Sequence, residues 1–171
     1  MRLDLVANAV AFQVGWFACV LGAASGNGWI GPLFVGLFVL VQLWITEERW
    51  KEVHLLLGTL VVGWSFDTVL IGLGYYSPVS NVFEGWGSSP WLVAMWVNFA
   101  LTLRHSMRWL KGRYGLGAVM GAVSGPLAYH AGIRLGAMTM LDGPYIMTLL
   151  LSIGWAIAVP LLIWLAWRED P

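Results

Sequence analysis

The sequence predicts an all-α fold: a polytopic membrane protein built as a bundle of six transmembrane helices, with its N and C termini cytoplasmic. Three observations predict it. The 171 residues are 59% apolar and only 11% charged, about half the charged share of an ordinary soluble domain. Six stretches come at or near the roughly 20 helical residues that cross a hydrocarbon core of about 30 Å. In a six-span threading the basic residues fall almost entirely on one side, as expected of cytoplasmic loops.

Residues 1–171 read as a single transmembrane domain, with spans near 5–25, 29–46, 53–74, 90–110, 115–136 and 144–167. The first begins like a signal peptide, but Asp4, Asn8 and Gln13 interrupt its apolar run and Trp16 stands where a lipobox before Cys19 would want Leu. An uncleaved first span is the expectation. Cys19, the lone cysteine, reads as a small buried hydrophobe and leaves no disulfide framework or Cys-rich metal site. The second span is short, with Pro32 in its first turn, where a missing N–H costs nothing. The third contains "VVGWSFDTVLIG", an apolar run with Asp67 set inside it. The only long loop, 75–89, faces outward. "KGRYG" and "LDGP" then separate the last three spans with turn signals.

Arg2, Arg49, Lys51, Arg104, Arg108, Lys111, Arg113 and Arg168 all fall on the cytoplasmic side of this threading, against Arg134 alone on the other. Trp29, Trp86 and Trp91 mark the outer interface, and Trp44, Trp50, Trp109, Trp164 and Trp167 the inner one, as amphipathic rings prefer. The bias places both termini in the cytoplasm, with membrane lipids as partners. A formal net charge of zero argues against nucleic acid, whose phosphates need a basic excess. No internal repeat emerges; a Gly-Trp pair recurs at Gly15-Trp16, Gly63-Trp64 and Gly154-Trp155, and the abundance of both residue types accounts for that.

An Asp at the centre of a membrane helix costs about 2.5 to 3.5 kcal/mol on insertion scales, and such residues face the bundle interior. Leu60, Gly63, Leu70 and Gly74 share the face of Asp67 at helical spacing, a face made for close approach. In the fourth span Asn98, Thr102 and His105 form one polar stripe. Arg104, Arg108 and Lys111 form a second, which reads as snorkelling anchors to lipid phosphates. In the fifth span Gly117, Gly121, Gly125, Gly132 and Gly136, with Ala128, make a ridge of small residues for helix packing. Pro126 frees the carbonyl of Ala122. At 1.5 Å per residue, Asp67, Asn98 and His130 lie roughly 18 to 22 Å above the cytoplasmic side, with Arg134 leaning down toward them. The expectation is an outer polar cluster of Asp67, Asn98, His130 and Arg134, either a binding site or a lock on helix order. A second candidate layer nearer the cytoplasm holds Gln13, Gln42, Thr102 and His105. His54, His105 and His130 sit on different helices at different depths, so no metal or b-type haem site is expected. No nucleophile-elbow or P-loop motif occurs; catalytic residues and cofactors stay unassigned.

The segments "PWLVAMWVNFALTLRHSMRWL", "GAVSGPLAYHAGIRLGA" and "FQVGWFACVLGAA", with the Asp67 run, resemble the domain-of-unknown-function 2878 family of small bacterial inner-membrane proteins over nearly the whole chain. The resemblance implies a neighbourhood of enzymes similar to cyclopropane-fatty-acyl-phospholipid synthases and flavin-dependent oxidoreductases, hence membrane-lipid modification. The sequence departs at Arg104, where similar proteins tend to carry a shorter polar residue, which argues against a family role for that position.

Three functional readings stay open. In the first, an accessory factor or enzyme of fatty-acyl modification holds an acyl chain in a slot of Trp16, Trp64, Phe66, Trp96 and Trp155. In the second, Asp67, His130 and Arg134 bind a proton or anion beside the Pro126 break in a small transporter, which six short spans allow only for an oligomer or a very small carrier. In the third, "EERWKE" and "RWLKGRYG" dock soluble lipid-modifying enzymes as a scaffold. The resemblance alone places the first ahead.

Overall fold

A computed structural model of the chain describes residues 3–83, 87–141 and 143–170; Arg2 and Trp86 of the orientation argument lie outside these. The described residues form six α-helices: α1 (Leu3–Ala24), α2 (Ile30–Ile45), α3 (Arg49–Gly72), α4 (Pro90–Leu103), α5 (Tyr114–Arg134) and α6 (Pro144–Trp167). Two short strands, β1 (Tyr76–Pro78) and β2 (Met138–Met140), pair antiparallel at one end of the bundle. The helices α1, α3 and α6 are each long and apolar enough to cross a membrane, while α2 and α4 are shorter apolar helices. Large apolar side chains such as Leu33, Leu37, Leu40 and Trp44 of α2 point outward, the inverse of a soluble surface.

The fourth helix stops at Leu103, seven residues before the end predicted for the span. The cause is a side chain from α1. Asn8 donates from Nδ2 to the Leu101 carbonyl at 3.0 Å, and its Oδ1 accepts from the Ser106 hydroxyl at 2.6 Å and the Ser106 N–H at 3.3 Å. These bonds stand in for the intrahelical pairing the backbone gives up. The chain then turns through a single 3-10 turn, Arg108–Leu110, before α5.

The helices α3 and α5 end alike. In both, a glycine in the left-handed region follows the cap, Gly74 at φ +79° and Gly136 at φ +84°. Tyr75 N–H reaches the Leu70 carbonyl at 3.1 Å, and Ala137 N–H the Gly132 carbonyl at 2.9 Å, the closing bond of a Schellman motif in each case. Gly136 is therefore a helix terminator and not part of the packing ridge. The strands that follow pair Tyr76 with Met140, Ser77 with Thr139 and Pro78 with Met138, a register symmetric about its centre.

The correspondence extends from the strands into the helices. Residues of α3–β1 have counterparts 62 positions later in α5–β2: Gly63 and Gly125, Asp67 and Tyr129, Gly74 and Gly136. Gly63 packs against the Trp96 ring of α4, and Gly125 against the Trp155 ring of α6. The two indoles stack, with centroids 4.2 Å apart and planes 9° from parallel. The segments α3–β1 and α5–β2 thus correspond about the strand pair and the stacked indoles. Composition hides it, because Asp67 aligns with Tyr129 and, besides the two glycine pairs, only Val61/Val123, Ile71/Ile133 and Leu73/Leu135 are identical. The helices α1 and α2 lie outside this correspondence.

The predicted ridge on α5 otherwise serves its purpose. A Cβ on Gly121 would lie 2.3 Å from the Trp155 carbonyl oxygen, and one on Gly117 2.5 Å from Ile163 Cδ1, so α6 packs on bare backbone. Gly132 faces Met138 instead, its Cβ position 3.4 Å from Met138 Cε. Cys19 is fully buried, with Gly31 of α2 against it. Trp91, expected at the outer interface, is fully buried as well, donating to the Val79 carbonyl at 2.9 Å.

Candidate functional site

Asp67 is fully buried and turned inward. Its Oδ1 accepts the Tyr76 hydroxyl at 2.7 Å and the Tyr129 hydroxyl, and its Oδ2 accepts Trp96 Nε1–H at 2.9 Å. The carboxyl therefore ties α3, β1, α4 and α5 together. Its company is three neutral donors, two phenols and an indole, in place of the amide and cations expected. Asn98 donates to the Phe12 carbonyl of α1 at 2.8 Å, and His130 lies 2.7 Å from the Thr148 hydroxyl of α6. Arg134 is exposed. None of these three shares a hydrogen bond or ion pair with Asp67 among the described residues.

Nearer the other end, part of the second candidate layer does meet. His105 Nε2 lies 2.8 Å from Glu52 Oε1 and touches the Gln42 amide. Thr102 bonds its own helix at the Phe99 carbonyl, 2.6 Å, and Gln13 stands elsewhere, at a groove described below. Glu52 is only 1% exposed, and its Oε2 has no partner among the described residues. Sequence reasoning passed over it because it sits in the charged run "EERWKE".

Arg104 also departs from expectation. Its side chain is buried, donating to the Ala166 carbonyl and to Glu48, with Asp170 at 3.7 Å and the Trp167 ring at 4.8 Å. It is an internal clamp between α3, α4 and α6, not a snorkelling anchor. Lys51 joins Glu48 and Asp170, at 2.5 and 2.6 Å. The Lys51 hydrogen bond is the main reason that both carboxyls are held below their ordinary range. Glu48, Lys51 and Glu52 of "EERWKE" thus find their partners within the protein.

A groove of about 440 Å³ opens between α1, α4 and α5, within the size range of small-ligand sites. Phe12, Gln13 and Trp16 form one flank, Met120, Ala128 and Tyr129 the other, and Trp96, Phe99 and Trp155 lie at its back. A difference between the two helix pairs makes it. On the far side of the stacked indoles, α3 closes on α6, and Phe66 lies where a Cβ on Gly154 would come within 2.1 Å of its ring. The counterpart of Phe66, 62 positions on, is Ala128, and the residue before Trp96 is Met95 where Gly154 precedes Trp155. No packing comparable to α3 on α6 joins α4 and α5. A methyl stands where a phenyl ring would plug the space.

Asp67 braces this groove from behind. Its hydrogen bonds hold Trp96 and Tyr129, both wall residues, by their polar ends, leaving their apolar faces to the cavity. Of the aromatic slot predicted from sequence, Trp16, Trp96 and Trp155 line the groove; Phe66 packs beside it and Trp64 is exposed.

The chain belongs to the DUF2878 family. The family model, described as a protein of unknown function, matches residues 5–161. No curated protein and no solved structure matches the chain. Asp67 and the groove lie within the segment matched to the family. Ala166 and Asp170, which hold Arg104, lie beyond it.

Proposed function

We propose that this member of the family is a six-span protein of the bacterial inner membrane that holds one acyl chain of a membrane lipid in its lateral groove, as an accessory factor in fatty-acyl modification. The observation that carries this reading is the groove itself, apolar, aromatic-lined and left open by Ala128 where the paired helix has Phe66. A slot walled by Trp, Phe and Met suits a flexible hydrocarbon tail, which gains dispersion contacts there without polar partners. Asp67 acts as a post that fixes two wall residues.

The six-span arrangement and cytoplasmic termini are supported by the distribution of charge. Among the described residues, Arg49, Lys51, Arg104, Arg108, Lys111, Arg113 and Arg168 belong to the end of the bundle where Lys51 meets Asp170, and Arg134 to the end with the strand pair. The helices α2, α4 and α5 would cross beside the three long ones because they pack along them. An Ala128→Phe substitution tests the function. The purified variant should lose copurifying lipid by native mass spectrometry while keeping its thermal stability within a few degrees, and cells carrying it should show the fatty-acid profile of a deletion strain. An unchanged profile in the deletion strain itself would remove the role in lipid modification.

A further inference from the structure

We infer that the ligand of the groove is an acidic phospholipid of the cytoplasmic leaflet, its phosphate between Arg108 and Arg113, an ester carbonyl at Gln13 and one acyl chain along Trp16 and Trp155. This rests on the groove reading above and adds the headgroup, the leaflet and the residues that select them.

The charge at the foot of the groove supports it. Lys51, Arg104 and Lys111 are neutralised by Glu48, Glu52 and Asp170, and Arg168 by Glu169. Arg108 and Arg113 are exposed and have no ion pair among the described residues. Neither lines the cavity itself; both stand on the connection that joins its two walls, α4 and α5, Arg108 next to Met107, a lining residue, and Arg113 directly before α5, whose Met120 lines the opposite side two turns on. An apolar slot whose walls are joined by a connection carrying two unneutralised guanidiniums matches a molecule with a tail and a phosphate, and guanidinium suits phosphate by its paired donors.

Gln13 supplies the third point. It lines the groove, is exposed there and has no hydrogen-bond partner among the described residues, which is costly for an amide facing hydrocarbon. The height of α1 is fixed by Asn8, bonded to Leu101 and Ser106. Gln13 is five residues further on, about 7.5 Å higher at 1.5 Å per residue. That offset from a phosphate at Arg108 is the level of the glycerol esters, whose carbonyls accept an amide N–H.

The test is native mass spectrometry of the full chain, delipidated and offered phosphatidylglycerol or phosphatidylcholine with identical acyl chains. The wild type should retain phosphatidylglycerol at least tenfold better. The Arg108→Gln/Arg113→Gln variant should bring it down to the phosphatidylcholine level, while Arg49→Gln/Arg134→Gln, which removes two exposed arginines away from the groove, should leave the preference intact. Gln13→Leu should weaken both lipids alike by a few fold. Equal retention of the two lipids by the wild type, or a preference that survives in the Arg108/Arg113 variant, would overturn the headgroup assignment and leave the groove standing. Retention of neither lipid by the wild type would instead overturn the groove reading on which it rests.

Discussion

At Asp67, the inward orientation is legible from the sequence, because an acid in an apolar helix must face protein. Its partners are not. Tyr76 and Trp96 read as apolar filler, and Tyr129 shows itself only through the 62-residue separation that also divides Gly74 from Gly136. All three donors are neutral and buried, so removing the acceptor strands them. Asp67→Leu should cost about 1–3 kcal/mol for each stranded donor, and Asp67→Asn less, since an amide oxygen still accepts from Trp96 while the two phenolic protons lose their acceptor. Thermal unfolding in micelles should rank wild type above Asn above Leu. A Leu variant as stable as wild type would show that the carboxyl does not brace the wall.

Helix boundaries depend on contacts that a local reading does not contain. Five predicted spans match observed helices within a few residues, whereas α4 ends early because a residue of α1 captures its carbonyl. No pattern within 90–110 announces that. Asn8→Ala should leave the Leu101 carbonyl and the Ser106 hydroxyl unpaired, lowering stability by about 1–3 kcal/mol, with faster hydrogen exchange confined to residues 101–110. The glycines of α5 are more legible, and their spacing predicts which substitutions matter. Gly121→Ala would push a Cβ to 2.3 Å from a backbone oxygen of α6, whereas Gly115, on the same helix, has nothing within 4 Å. Overpacking of this kind costs about 1–3 kcal/mol, so Gly121→Ala should lower the unfolding temperature in micelles and Gly115→Ala leave it within about a degree. Equal effects from the two would mean that the close approach of α5 to α6 is unimportant.

Phe66 fills the contact of α3 with α6, its counterpart Ala128 leaves the α4–α5 side open, and α1 lines that side. One side of that difference is Ala128, which a sequence scan takes for another member of a small-residue ridge, and the other is Met95 where α6 has Gly154. The opposite, basic end is held together by long-range charge pairing, for Asp170, just after α6, returns to Lys51 at the start of α3 and lies within 3.7 Å of Arg104. Because Lys51 holds the carboxyls of Glu48 and Asp170 below their ordinary values of 4.5 and 3.8, the folded state binds their protons less readily than the unfolded chain does. Their contribution to stability is therefore complete above those ordinary values and is lost as pH falls through the lowered folded ones. Thermal unfolding in micelles should lose stability on acidification below the ordinary carboxylate range, and Lys51→Gln should flatten that limb while lowering the neutral-pH plateau only slightly, since partly exposed pairs contribute little. The same acidification should release the end of α6, seen as hydrogen exchange rising at residues 166–170 before α3 or α5 exchange. A Lys51→Gln protein with the full acid dependence of the wild type would assign that dependence to other carboxyls.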